Sequence, residues 1–150
     1  MRGRWRKWSA GRCYSHPDLS LLTPIPAVDL HKHWDWLRAG LERVRAKVAT
    51  EWIPEDIWQA IRSGAAGVSI IADGAGFIVL QRQERARGPC LFIWVVEGEL
   101  AQYEQAMYAE LEHVARDMKA PTIEMHSPRK GWAQRGFWMP TNTVYIHEVS

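Results

Sequence analysis

Two rhythms of apolar and polar positions alternate along the chain. Leu30, Trp34, Leu37, Leu41, Val44 and Val48 recur at steps of four and three. That spacing predicts a helix with one apolar stripe and charges on its other faces, and Asp29 stands where an N-cap belongs. Pro54, followed by Glu55 and Asp56, suits the start of a second helix. Proline lacks an amide that the first turn leaves unused, and carboxylates favour the positive end of the helix dipole. Ile57 and Ile61 carry this helix to a stop at Ser63-Gly64. Leu100, Tyr103, Met107, Leu111, Val114 and Met118 predict a third, longer helix that stops near Pro121.

Between and around these helices the pattern shortens to that of strands. Leu19 to Pro26 is a short apolar run ending in prolines, which suits a sheet edge. Gly67 to Ala72 and Phe77 to Gln81 flank Asp73-Gly74-Ala75-Gly76, a hairpin signature. Residues 82–89 (RQERARGP) read as a charged connection. Cys90 to Val96 has no polar alternation, as expected of a central strand covered on both faces. Thr122 to His126 and Thr143 to Val149 predict two further strands around a short helix at Pro128 to Gly136, with room for one more strand near Phe137 to Met139. The predicted order is β-α-α-β-β-β-α-β-α-β, an α/β (α+β) mixed sheet over residues 19–150.

Residues 1–18 follow neither rhythm and read as an N-terminal arm. Charge sharpens that division. The whole chain is +2, yet its first twelve residues hold five cations and no anion, leaving 14 basic against 17 acidic side chains in the rest. A polyanion contact, with nucleic acid the weaker expectation, would fall to the arm. Within it Arg2, Arg4, Arg6 and Lys7 interleave with Trp5 and Trp8, a composition suited to docking on a protein partner or an assembly. The other reading is an arm folded back on its own domain. The chain has 150 residues, 47% of them hydrophobic, an ordinary single-domain balance. No apolar run reaches the roughly 20 residues of a membrane span. Two cysteines, Cys13 and Cys90, without CxxC spacing fit a reducing cytoplasm. No HExxH or clustered ligand set occurs, so no metal is expected.

The C-terminal segment APTIEMHSPRKGWAQRGFWMPTNTVYIHEV carries a more specific signal. Gly131-Trp132 followed by Arg135-Gly136-Phe137, together with the element order, resembles the GNAT superfamily of acetyl-CoA-dependent N-acetyltransferases. Among its members it resembles the short GNAT-like proteins encoded by phages and prophages. That resemblance implies that the fourth and fifth strands splay apart to admit the pantetheine arm of acetyl-CoA. It also implies that Val95, Val96, Gly98, Leu100 and Ala101 line the cofactor site, with Glu97 and His126 as candidate proton-transfer groups.

The chain departs from the family pattern in two places. The family's R/Q-x-x-G-x-G/A loop is replaced by Glu97-Gly98-Glu99-Leu100-Ala101-Gln102, with carboxylates where a diphosphate would lie. The R-x-x-G string at Arg85 to Gly88 precedes the central strand and cannot serve as that loop. The stretch that supplies the family's tyrosine acid, PRKGWAQRGF, has no tyrosine; Tyr103 and Tyr145 are the nearest, and both fall at core positions. Two readings of function stand. One is an N-acyltransferase moving acetyl from acetyl-CoA to an amine, in the cytoplasm of its cell or host. The other is a non-catalytic adaptor of a phage particle or other assembly, oligomeric or not, that docks through Arg2, Arg4, Trp5, Arg6, Lys7 and Trp8.

Overall fold

A computed structural model describes the backbone of residues 21–126, 139–141 and 144–149. The arm, the expected helix at Pro128 to Gly136 and the Gly131 to Phe137 motif lie outside the described residues. Among the described residues seven strands form one mixed sheet in the order β1-β2-β3-β4-β5-β7-β6. They are β1 (Leu22–Pro24), β2 (Ala66–Ile71), β3 (Gly76–Arg85), β4 (Gly88–Gly98), β5 (Thr122–His126), β6 (Met139–Thr141) and β7 (Val144–Glu148). Every neighbouring pair is antiparallel except β4 and β5, which run parallel. The crossover between those two carries helix α3 (Glu104–Asp117), while α1 (Leu30–Lys47) and α2 (Pro54–Ser63) connect β1 to β2.

The helices divide between the two faces of the sheet. Leu30, Leu37 and Leu41 of α1 and Ile57 and Ile61 of α2 pack on Val68, Phe77, Val79 and Val95. Met107, Leu111, Val114 and Ala115 of α3 pack on the opposite face against Ile78, Leu80, Leu91, Ile93, Ile123 and Met125. Both stripes are those the sequence spacing predicts. Burying each such Leu or Ile contributes about 1.5–3 kcal/mol, so the two clusters supply most of the drive for this arrangement.

Capping follows the sequence at α2 and departs from it at α1. Pro54 begins α2, and the Asp56 carboxylate accepts the Ile53 amide at 3.0 Å. Asp29, expected to cap α1, makes no capping hydrogen bond, because residues Ala27–Asp29 form a 3-10 turn that runs directly into the helix. Its carboxylate pairs instead with Lys32 at 3.2 Å.

The charged stretch read as a connection, residues 82–89, belongs to strands. β3 runs on to Arg85, β4 begins at Gly88, and Arg85 pairs with Gly88 across the turn. Polar residues tolerate strand geometry here because the hairpin grows more exposed from Arg82 towards Arg85 and its charges find partners. Arg82 pairs with Glu84 at 3.1 Å and Arg85 with Glu124 of β5 at 3.1 Å. The extra short strand allowed near Phe137 to Met139 lies slightly later, at Met139–Thr141, paired to β7. Glu110 of α3 ties down the opposite edge: one of its carboxylate oxygens accepts the amides of Leu21 and Leu22 at 2.6 and 2.9 Å.

Candidate functional site

The parallel pair β4–β5 is joined over only part of its length. Cys90, Leu91, Phe92 and Ile93 pair with Thr122, Ile123, Glu124 and Met125, and the pairing stops there although β4 continues to Gly98. The cause lies on the other side of β4. Val79 of β3 faces Val95, but the next residue, Leu80, faces Ile93. Trp94 is therefore the extra residue of a β-bulge. A bulge bends its strand and increases its twist, and the bend falls where β4 parts from β5.

Side-chain directions register the same irregularity. Leu91 and Ile93 belong to the cluster beneath α3, whereas both Trp94 and Val95 pack with the cluster beneath α1 and α2, and Val96 returns to the α3 side. Beyond the bulge the alternation is reversed. Glu97 consequently falls on the α1 side, where its carboxylate accepts a hydrogen bond from Arg43 Nε at 2.6 Å. The glutamate side chain is only 14% exposed and the arginine 53%. This bond, reinforced by the opposite charge, raises the Arg43 pKa above its ordinary value.

The gap opens into a cleft of about 1280 Å³. All five residues expected around a cofactor, Val95, Val96, Gly98, Leu100 and Ala101, line it, as do both candidate proton-transfer residues, Glu97 and His126. His126 is exposed at the end of β5, its ring edge-on to Phe92 with centroids 5.1 Å apart. Trp36, Trp52 and Trp94 add aromatic wall.

At the far end of β4 the backbone is tightly crossed. Gly98 (φ 131°) faces Gly76, the Glu99 amide donates to the Ala75 carbonyl at 3.2 Å, and a Cβ on Gly98 would strike the Ala75 carbonyl oxygen. The loop that follows turns through Ala101–Tyr103 in a 3-10 turn before α3 begins. Among the described residues no acceptor pairs with the amides of Leu100, Ala101 and Gln102. Such amides at a helix start favour an anion, but Glu99 and Glu104 bring carboxylates to the same end of the cleft.

Two residues of the site escaped the sequence reading. Arg43 lies on the polar flank of α1, and only the tertiary fold brings it to Glu97. Tyr108, not Tyr103, is the buried tyrosine of α3; it lines the cleft and donates to Glu104 at 2.8 Å. Its signal was present in the sequence: Glu104 and Tyr108 stand four apart, one above the other on a helix. Tyr103 is only half-buried. Tyr145 lies where side chains are not described.

No protein-family model matches the chain, and no curated protein matches it in sequence. Solved structures match its architecture. A GNAT-family acetyltransferase from Listeria monocytogenes superposes with a TM-score of 0.55 at 14% identity, over 84% of this chain and 92% of its own. Tetrahymena GCN5 gives 0.59 at 10% identity, covering 80% and 88%. The chain has the GNAT fold. A ribosomal-protein-alanine N-acetyltransferase from Brucella melitensis shares this fold at 0.54 and 13% identity, covering 81% and 92%. At such identities the likeness is one of overall fold.

The R-x-x-G string at Arg85 to Gly88 is part of the β3–β4 hairpin, away from the cleft, as its place before the central strand implied. Among the described residues no three His, Cys, Asp or Glu side chains converge as a metal site, and no helix is long and apolar enough to cross a membrane.

Proposed function

We propose that the chain is an acyl-CoA-dependent N-acyltransferase that moves an acetyl group to an amine. The observation carrying this reading is the bulge at Trp94: it frees the β5-side edge of β4 and opens the cleft between two parallel strands. An extended amide-bearing arm can align along such an edge as an added strand does. Residues Val95 and Val96 would hold it, and the amides of Leu100, Ala101 and Gln102 would meet its phosphates. Bound acetyl-CoA would supply the activated acyl group as a thioester.

The chain's own residues would manage the protons. Glu97, which Arg43 holds on the α1 side of the gap, would accept a proton from an incoming ammonium group. His126 and Tyr108 line the cleft near β5 and α3, and either can return a proton to the departing thiolate. Exposed Glu99 opposes an anionic cofactor by up to about 1 kcal/mol, and half-buried Glu104 adds to it, so cofactor affinity should be modest.

A melting curve tests the first step. Acetyl-CoA at about 100 times its Kd stabilises a true binder by about 2.7 kcal/mol, and transfer is then followed by thiol release with a panel of amines. No shift at millimolar acetyl-CoA would overturn the reading. The carboxylates at the loop and the engagement of Glu97 by Arg43 favour a second reading in that event. It is a GNAT scaffold without catalysis, serving as an adaptor in a phage particle or other assembly.

A further inference from the structure

The cleft is charged as well as aromatic. Among the described residues lining it, Glu51, Asp56, Glu97, Glu99 and Glu104 stand against Arg43 and Lys47, a net of −3. Arg43 is already engaged by Glu97. Glu51 and Glu99 are exposed, with no partner among the described residues. Trp36, Trp52 and Trp94 line the same cleft. A ligand matching such a wall would bear several cations and flat aromatic groups together.

The chain carries that chemistry most densely at its start. Its first twelve residues carry five cations, no anion, and two tryptophans, Trp5 and Trp8. The point where the described fold begins is also suitable. Leu21 accepts the Ala72 amide at 2.8 Å, beside the β2–β3 turn, and Gly74, Ala75 and Gly76 of that turn line the cleft. The Glu99 amide bonds to Ala75 in the same turn. Twenty residues precede Leu21, and at about 3.3 Å each in extended chain they span tens of ångströms, ample to enter the cleft and follow it.

We propose that the N-terminal arm docks in the chain's own acidic, aromatic cleft, its cations against Glu51 and Glu99 and its tryptophans on the indole walls. Cation–aromatic contacts would add to the charge attraction. Under the acyltransferase reading the arm then competes with an anionic cofactor and acts as a built-in inhibitor. The docking itself does not depend on that reading.

The full-length chain provides the test. Cys13 lies in the arm and Cys90 is buried, so a thiol-reactive nitroxide labels the arm alone. In the ¹⁵N-labelled protein the expected result is selective broadening of amides around Ala49 to Trp52, Gly74 to Gly76 and Gly98 to Ala101. That broadening should be lost in E51K/E99K and in about 0.5 M salt, where exposed charges are screened. Broadening on another face, none above the background, or broadening indifferent to charge reversal would overturn the proposal. So would broadening that persists when the nitroxide sits only on unlabelled copies in a mixed sample, since that places the contact between molecules. Because no acyl donor is present, failure here leaves the acetyl-CoA melting test untouched.

Discussion

Substituting Gly98 by alanine separates two costs that the structure places at one residue. Gly98 has φ of 131° and Gly74 has φ of 108°, both in the region that L side chains avoid. At Gly74 an added Cβ meets nothing within 4 Å, so Gly74→Ala bears the backbone term alone, about 1–2 kcal/mol. At Gly98 the same Cβ strikes the Ala75 carbonyl oxygen and lies 2.6 Å from Gly76 Cα, neither of which is a flexible side-chain end. Overpacking of that kind adds about 1–3 kcal/mol, giving about 2–5 kcal/mol for Gly98→Ala. Both variants also lose unfolded-chain entropy, and that gain cancels in the comparison. For a domain of this size each kcal/mol moves Tm by about 2–4 °C. Gly98→Ala should therefore melt roughly 4–20 °C below the parent, and Gly74→Ala about 2–8 °C below. Urea titration of both variants gives the free energies directly. Equal losses at the two glycines would refute the close crossing of the β2–β3 turn and the end of β4 on which the cleft floor rests.

Two further outcomes follow from buried groups. Burial raises the Glu110 pKa despite the amides of Leu21 and Leu22 that favour its charged form. A carboxyl with a raised folded-state pKa lends stability below the ordinary carboxylate range and loses it as pH climbs through the raised value. Glu110→Gln should therefore gain stability relative to the parent as pH rises from about 4 towards 7, read from urea midpoints; a constant difference would contradict the burial argument. Burial, with the neighbouring Glu124 carboxylate adding to it, pushes the Cys90 thiol up to about 12. A thiol reagent at pH 8 should thus modify one cysteine in the native protein and two in guanidinium. Two fast-reacting thiols under native conditions would show that β4 is accessible.

The helices were legible because their stripes serve one partner each. Leu30, Leu37 and Leu41, and Met107, Leu111 and Val114, meet one sheet face apiece, so a 3.6-residue period records their burial faithfully. The run from Cys90 to Val96 was legible as a central strand for the opposite reason, since both of its faces are covered. The bulge at Trp94 was not legible. In a strand apolar on every residue, an inserted residue leaves no break in the pattern. The polar extension of β3 from Arg82 to Arg85 was misread because local charge outweighed the pair of Arg82 with Glu84 along the strand and that of Arg85 with Glu124 of β5, the second of which only tertiary structure reveals. Glu97 could be placed at the strand end by counting, whereas its partner Arg43 lies 54 positions away and nothing nearby in sequence links them.

One residue, Trp94, connects the opening of the cleft to the electrostatics within it. Had β4 kept strict alternation, Glu97 would have shared the side of Leu91 and Ile93 and faced α3, out of reach of α1. The bulge places Trp94 and Val95 together on the α1 side and returns Glu97 to that side two residues later. The same irregularity that detaches β4 from β5 therefore delivers a mostly covered carboxylate to Arg43. An ion pair with its arginine half in water contributes at most about 1 kcal/mol to folding. Its consequence is positional: it fixes where a negative charge stands in the gap between two parallel strands. Whatever enters that gap, an ammonium group awaiting acylation or the chain's own basic arm, meets a carboxylate whose direction was set by a strand irregularity three residues earlier.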